Sequence, residues 1–326
     1  MNDTTLRPGY GAFPGVENPA SRLFFGTANG PMIAGEDVSP LLDEMLDLGI
    51  TAFDTARGYG QAERVLGDWM HARGNRDNLV LLSKCGDLKN GLVHLDRQVI
   101  EQELAESLHA LRTDRIDVYL LHRDDPNTPI SEYIDTLNEA KRAGKIVCFG
   151  VSNWTVARIR AANAYAEATG QAGFCVSSPH YGLAEQVADP WGGGCVTVSG
   201  EGGAADRAWY AGNQMPVVAY SSLSRGFFSG KFRAGDYEAA RRVLDGPAQK
   251  GYLCEGNMAR LARAEVLAAR ERCTVAEIAV RYLFSSGMNL FAVLSTGSAA
   301  RMRENIAASL CPLDAEDVRY LETGED

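Results

Sequence analysis

The chain has 326 residues, 45% hydrophobic and 23% charged, which is ordinary globular composition and allows roughly 75% of the unfolded surface to be buried. Its formal net charge of −10 argues against a nucleic-acid surface, which needs clustered lysine and arginine, and no apolar run approaches the length of a membrane span. The first ten residues lack the basic and apolar regions of a signal peptide, and the seven cysteines are odd in number with no CxxC pair; both point to a cytoplasmic protein with reduced core thiols.

Residues 1–20 are rich in glycine and proline and read as a lead-in or a small hairpin over the floor of the fold. Leu23-Phe24-Phe25 is a short strand running into the loop Gly26-Thr27-Ala28-Asn29-Gly30. Leu41 to Leu48 has apolar residues at helical spacing and stops at Gly49, as a glycine-capped helix does, and the strand Ile50 to Phe53 follows. The alternation continues through helix 62–72, strand 79–82, helix 99–111, strand 118–121, helix 134–143 and strand 146–151. The unit recurs at roughly 30 residues, the size of a βα repeat.

The second half is less regular. Helix 156–168 leads to strand 174–177 and then to a long glycine-rich stretch, 182–203, containing Trp191-Gly192-Gly193-Gly194. A loop of that length inside a compact domain is expected to be a substrate loop or a poorly ordered connection, and we favour the first. Strand 216–220, a connection with helical pieces to Asn257, helices 258–270 and 275–283, strand 291–294 and helices 300–308 and 314–322 complete the chain. Eight strands, most followed by helices and with no linker between them, predict a single-domain (β/α)8 TIM barrel over residues 1–326. A doubly wound sheet is the rival, but no GxGxxG turn follows the first strand.

Apolar runs deliver ionisable side chains at or just beyond their C-terminal ends: Asp54 with Tyr59 in the loop after it, Lys84, and His122. In a parallel barrel those ends share the face where chemistry is done. A phenol is a poor acid at neutral pH unless a cation lowers its pKa, and Lys84 supplies one, with Asp54 as its counter-charge. A neutral imidazole donates a hydrogen bond to a substrate oxygen. The four groups suit protonation of an oxygen on which negative charge develops, as in carbonyl reduction. No side chain provides a hydride, so a cofactor must. Arg123-Asp124-Asp125 lacks a third ligand at metal spacing, and no metal is expected.

Phe53-Asp54-Thr55-Ala56-Arg57-Gly58-Tyr59-Gly60-Gln61-Ala62-Glu63, Ser83-Lys84, Leu120-Leu121-His122-Arg123, Gly150-Val151-Ser152-Asn153-Trp154 and Glu304-Asn305 resemble, in order, the signatures of the aldo-keto reductase superfamily, over roughly Leu23 to Leu310. The resemblance implies a (β/α)8 barrel that binds a nicotinamide cofactor without a Rossmann domain. It makes Tyr59 the general acid, Lys84 and Asp54 the groups that tune it, and His122 the group that orients the carbonyl. It gives Ser152, Asn153 and Ser178 to the nicotinamide carboxamide and Tyr220 to its ring. Ser221, Leu223, Arg225, Gly226 and Lys231 fall to the pyrophosphate, and Gly26 and Thr27 to positions near the cofactor. Thr296, Gly297, Ser298, Arg301, Glu304 and Asn305 fall to the adenosine end.

Two departures matter. Ser295 stands where many members have a lysine, so NADPH is expected because of Arg301, with NADH as the alternative. Ser178 stands where the family often has a glutamine, and a hydroxyl cannot reproduce two-sided amide pairing. The substrate is expected to be a small-molecule carbonyl compound, in a pocket formed by Tyr59, His122, Trp154, His180 and Trp191. An NADPH-binding sensor with little turnover and an NAD-dependent sugar or polyol dehydrogenase are the competing readings; oligomeric state is left open.

Overall fold

The computed structural model describes residues 6–88 and 91–325; the first five residues of the expected lead-in lie outside them. Eight strands close into a barrel in chain order: β1 (Leu23–Gly26), β2 (Ala52–Asp54), β3 (Val80–Cys85), β4 (Ile116–Leu121), β5 (Ile146–Ser152), β6 (Ser177–Ser178), β7 (Val217–Ala219) and β8 (Leu290–Leu294). The recorded pairings are parallel, with Asp54 opposite Leu82 and Lys84 opposite Leu120. Every residue of β1 to β4 is buried. Helices cover the outside of such a barrel and side chains fill its inside, so the strands read as near-continuous apolar runs.

The chain forms two compact units. The first holds Tyr10–Ser178 with Ser295–Ala299, and the second holds Pro179–Leu294, the residues from Ala300 onward and the described residues before Tyr10. In the first unit the expected hairpin is present: Tyr10–Gly11 pairs antiparallel with Ala20–Ser21, and the Tyr10 hydroxyl donates to the Gly49 carbonyl at 2.9 Å. β6 is shorter than expected, although Cys175 and Val151 still exchange backbone bonds with Phe149 and Val176 alongside it. β5 and this segment approach so closely that a Cβ on Gly150 would lie 2.0 Å from the Val176 carbonyl oxygen.

In the second unit the glycine-rich stretch contains no regular element before the short turn Glu201–Gly203. It is pinned from several sides. The Asp189 carboxylate accepts backbone N–H bonds from Trp191, Gly192 and Cys195 at 2.8, 3.0 and 2.8 Å, and His180 bridges to Thr197. The Asn257 side chain brackets the backbone of Glu185. The helix Ala204–Asn213 has no counterpart among the expected elements. Among the described residues, no helix is long and apolar enough to cross a membrane, and no group of three or more His, Cys, Asp or Glu could hold a metal ion.

Candidate active site

In the first unit, the loop after β2 is sewn to the end of β3. Thr55 N–H donates to Leu82, Arg57 N–H to Lys84 and Tyr59 N–H to Ala56, at 2.9, 2.9 and 3.0 Å. Gly60 allows the turn that follows: its φ is +56°, and a Cβ there would meet the Ile33 carbonyl oxygen at 2.7 Å. The loop so held brings Tyr59 to Lys84.

Lys84 Nζ donates to Asp54 Oδ1 at 2.6 Å, to the Thr55 carbonyl at 2.9 Å and to the Tyr59 hydroxyl at 3.4 Å. Asp54 and Lys84 are 4% and 3% exposed, so each charge depends on the other for compensation. Burial alone would discharge the ammonium, but the Asp54 carboxylate and the Tyr59 oxygen outweigh it, and its pKa rises. Burial pushes the Asp54 carboxyl up against the pull of Lys84. Tyr59 departs from the simple expectation of a lowered phenol pKa. Burial raises it, Asp54 and Asp87 add to the rise, and Lys84 offsets only part of it.

His122 lies one residue beyond β4, with its N–H donating to the Cys85 carbonyl at 2.7 Å and its ring edge-on to Tyr59 at 5.7 Å between centroids. Burial lowers its pKa to about 3, with Asp87 opposing the shift, so the imidazole is neutral at ordinary pH. Its Nδ1 is buried without a hydrogen-bond partner.

Ser152, Asn153 and Ser178 are brought together. The Ser152 hydroxyl donates to the Ser178 carbonyl at 2.8 Å, and Asn153 Nδ2 donates to the His122 carbonyl and to Ser152 Oγ, both at 3.1 Å. Asn153 is left-handed, φ 60°. Ser178 Oγ and Thr27 Oγ1 are buried with no hydrogen-bond partner. Gly26 ends β1 opposite Asp54, and Thr27 N–H donates to the Asp54 carbonyl at 2.9 Å. In the turn after β8, Thr296 Oγ1 accepts from Ser298 N–H at 3.2 Å, beside Gly297.

In the second unit, Tyr220 follows β7, half-buried, with Trp191 edge-on to it at 5.8 Å. The Arg225 guanidinium lies over Trp191, 5.5 Å from the ring centroid, and is ion-paired with Asp245. Ser221, Ser224 and Arg225 all have left-handed backbones, φ 50°, 51° and 52°, and such strain in non-glycine residues persists only where surrounding structure enforces it. Leu223 is half-buried within this turn and Gly226, φ 91°, ends it. Ser224 Oγ is buried and unpartnered, and Lys231 is exposed. On the helix Ala299–Ser309, Arg301 and Glu304 are exposed and Asn305 is buried.

Two expected pocket residues are corrected. Trp154 is 1% exposed, packed edge-on against Tyr133 and Phe174 at 5.3 Å each, and belongs to the core. His180 is 0% exposed; its ring contacts Tyr220 and Tyr252 and its Nδ1 lies 2.8 Å from Thr197 Oγ1.

Two acidic residues had no role from sequence. Glu63, 1% exposed, accepts from Ser83 Oγ at 2.7 Å and pairs with Arg57 at 3.0 Å, tying the helix Ala62–Arg73 to the strand position before Lys84. Asp87 stands 3.8 Å from His122 Nδ1 and 3.7 Å from Arg123 Nε. Its only sequence signal is its place three residues after Lys84.

The Aldo/keto reductase family profile matches residues 22–325. Aldo-keto reductase YhdN of Bacillus subtilis is 29% identical, over 94% of this chain and 91% of its own. Aldo-keto reductase yakc [NADP(+)] of Schizosaccharomyces pombe is 24% identical, over 86% of this chain and 80% of its own. The crystal structure of the thermostable aldo-keto reductase Tm1743 with the inhibitor epalrestat superposes with a TM-score of 0.69 at 21% identity, covering 97% of this chain and 99% of that one. The barrel, the ordered motifs and the near-complete profile match agree: the chain belongs to the aldo/keto reductase family, NAD(P)H-dependent oxidoreductases that act on small carbonyl compounds.

Proposed function

We propose that the protein reduces an aldehyde or ketone to an alcohol, with NADPH as the hydride source and Tyr59 as the general acid. The observation that carries this reading is the junction at Lys84 Nζ, which meets Asp54, the Thr55 carbonyl and the Tyr59 hydroxyl at once. A pure binding protein has no need of a buried ammonium held against a phenol.

The nicotinamide, when bound, supplies the hydride that no side chain can. Tyr59 gives its phenolic proton to the oxygen that gains negative charge. Lys84, held charged by Asp54, stabilises the phenolate left behind. His122, neutral, donates from its imidazole N–H to the carbonyl oxygen and orients it. Burial raises the Tyr59 pKa, so the phenol holds at neutral pH the proton that reduction consumes.

The residues fit a nicotinamide cofactor. Ser178 and Thr27 carry buried hydroxyls without partners, and buried polar groups are nearly always satisfied; a carboxamide suits the first. Ser152 and Asn153 would share that contact and Tyr220 would face the ring. Ser221, Leu223, Arg225, Gly226 and Lys231 would take the pyrophosphate, with Ser224 Oγ as an additional buried donor. Thr296, Gly297, Ser298, Arg301, Glu304 and Asn305 would take the adenosine end. Arg301 and the name of the NADP(+) relative favour NADPH over NADH. Trp191 would border the substrate.

The test is steady-state oxidation of NADPH and of NADH with a panel of aldehydes and ketones. Turnover with several carbonyl compounds and a lower KM for NADPH is expected. Tight NADPH binding without turnover across the panel would contradict the reading.

A further inference from the structure

Asp87 is used by no step above, yet it borders His122, which those steps need, and the loop that carries Tyr59. It lies two residues beyond the end of β3, whose last residue but one is Lys84. Its two carboxylate oxygens face different surroundings. Oδ1 accepts from Leu88 N–H at 2.8 Å and lies 3.7 Å from Arg123 Nε. Oδ2 is turned toward His122 Nδ1 at 3.8 Å. It also lies where a Cβ on Gly58 would come within 2.7 Å, so the missing side chain at Gly58 makes room for the carboxylate beside the Tyr59 loop. The Asp87 side chain is 30% exposed, whereas Arg123 is 5% exposed. The negative group is therefore the accessible member of the pair. The nearest imidazole nitrogen, on a residue 7% exposed, is buried without a hydrogen-bond partner.

We propose that Asp87 is a specificity-determining residue of this site: its carboxylate accepts hydrogen bonds from hydroxyl or ammonium groups on the carbonyl substrate and disfavours substrates that carry an anion near the carbonyl. The physical basis is the asymmetry between donors and anions. A hydroxyl or ammonium reaching Oδ2 forms a charge-assisted hydrogen bond. A substrate carboxylate placed there meets a like charge in a partly desolvated site and leaves two anions facing each other. Lys84 relieves little of this repulsion, because Asp54 at 2.6 Å offsets its charge; Arg123 relieves part of it from behind.

The inference rests on the carbonyl-reduction reading, and one experiment separates the two. kcat/KM with NADPH is measured for 2-carboxybenzaldehyde and 2-nitrobenzaldehyde, which place groups of similar shape but different charge beside the carbonyl, in the wild type, Asp87→Asn and Asp87→Glu; their different intrinsic reactivity cancels when the ratio is compared between variants. The ratio of the two values within one variant is independent of how much of that variant is correctly folded. Removing the charge in Asp87→Asn should raise the carboxy-to-nitro ratio by about tenfold, the Arg123 guanidinium offsetting part of a larger Coulombic effect. Asp87→Glu should keep the ratio near the wild-type value. An unchanged ratio in Asp87→Asn, with the nitro compound still reduced, overturns the role of Asp87 and leaves carbonyl reduction standing. Failure of the wild type to reduce either aldehyde overturns the reading and the inference together.

Discussion

The Lys84 ammonium sits 3.4 Å from the Tyr59 hydroxyl and 4.9 Å from the centroid of its ring, while the same nitrogen is held at 2.6 Å by Asp54. One cation thus spans the acid and its counter-ion. Replacing it by methionine keeps the volume and removes the charge. Lys84→Met should lower kcat for carbonyl reduction by about 10²-fold or more, the range of a positioned acid–base group, and should lower the stability because Asp54 is left buried and uncompensated. Wild-type kcat in that variant, measured with any substrate of the panel, would show that the ammonium does not tune Tyr59.

The pH profile follows from the two aromatic titrating groups. Tyr59 is held above the ordinary phenol value of 10.0 by burial, so the acid form persists through neutral pH and reduction should fall only in strongly alkaline solution. The reverse oxidation needs the phenolate and should rise with pH over that range. His122, lowered to about 3 by burial, stays neutral above roughly pH 4, so kcat/KM for reduction should show no inflection between pH 5 and 8. An inflection near 6.5 that vanishes in His122→Gln would contradict the neutral imidazole.

His180 predicts a stability effect separate from activity. Its folded pKa is lowered to about 3 by burial, so below the unfolded value near 6.5 the unfolded chain binds a proton that the folded chain does not. Stability is therefore full above that pH and is lost as the pH falls toward 3. Between pH 7 and pH 5 the loss from this residue is about 2 kcal/mol. Urea unfolding at the two pH values should show at least this difference in the wild type, His122 contributing in the same sense, and His180→Gln should remove the part due to His180. An equal pH dependence in both proteins would mean that His180 is charged when folded.

Gly150 tests the close approach of β5 to the segment before β6. Alanine there would put a methyl group 2.0 Å from the Val176 carbonyl oxygen, a backbone contact that only strand displacement relieves. Gly150→Ala should cost about 3 kcal/mol or more in urea unfolding, at the upper end of overpacking effects. A loss below about 1 kcal/mol would mean that the strands yield easily.

How much of this was legible beforehand depends on whether the signal was local. The expected helix 156–168 coincides with the observed Val156–Ala168, whose start is set locally by Thr155, accepting from Arg158 N–H. Asp54, Lys84 and His122 announced themselves as polar ends of apolar runs. The apolar run before β6 overstates the strand because Phe174 is apolar for another reason: it packs against Phe149 and Trp154, and although backbone bonds join Cys175 and Val176 to β5, only Ser177 and Ser178 are register partners of that strand. Helix Ala204–Asn213 was missed because it follows directly on a glycine-rich run, has no side-chain cap at its start and keeps only Tyr210 buried. Trp154 and His180 stand close to motif residues in sequence, but tertiary packing decides which way a ring turns. Asp87 and Glu63 act through partners distant in the chain, Arg123 and Ser83, and no spacing rule connects them.

The central claim is that Tyr59 is the proton donor to the forming alkoxide, and Tyr59→Phe removes one oxygen atom from the site. The direct measurement is NADPH oxidation with the best aldehyde of the panel by Tyr59→Phe, alongside NADPH affinity from fluorescence titration. The account predicts kcat lower by about 10³-fold, within the usual range for loss of a general acid, with NADPH affinity within a few-fold of the wild type. Wild-type turnover in Tyr59→Phe would contradict it.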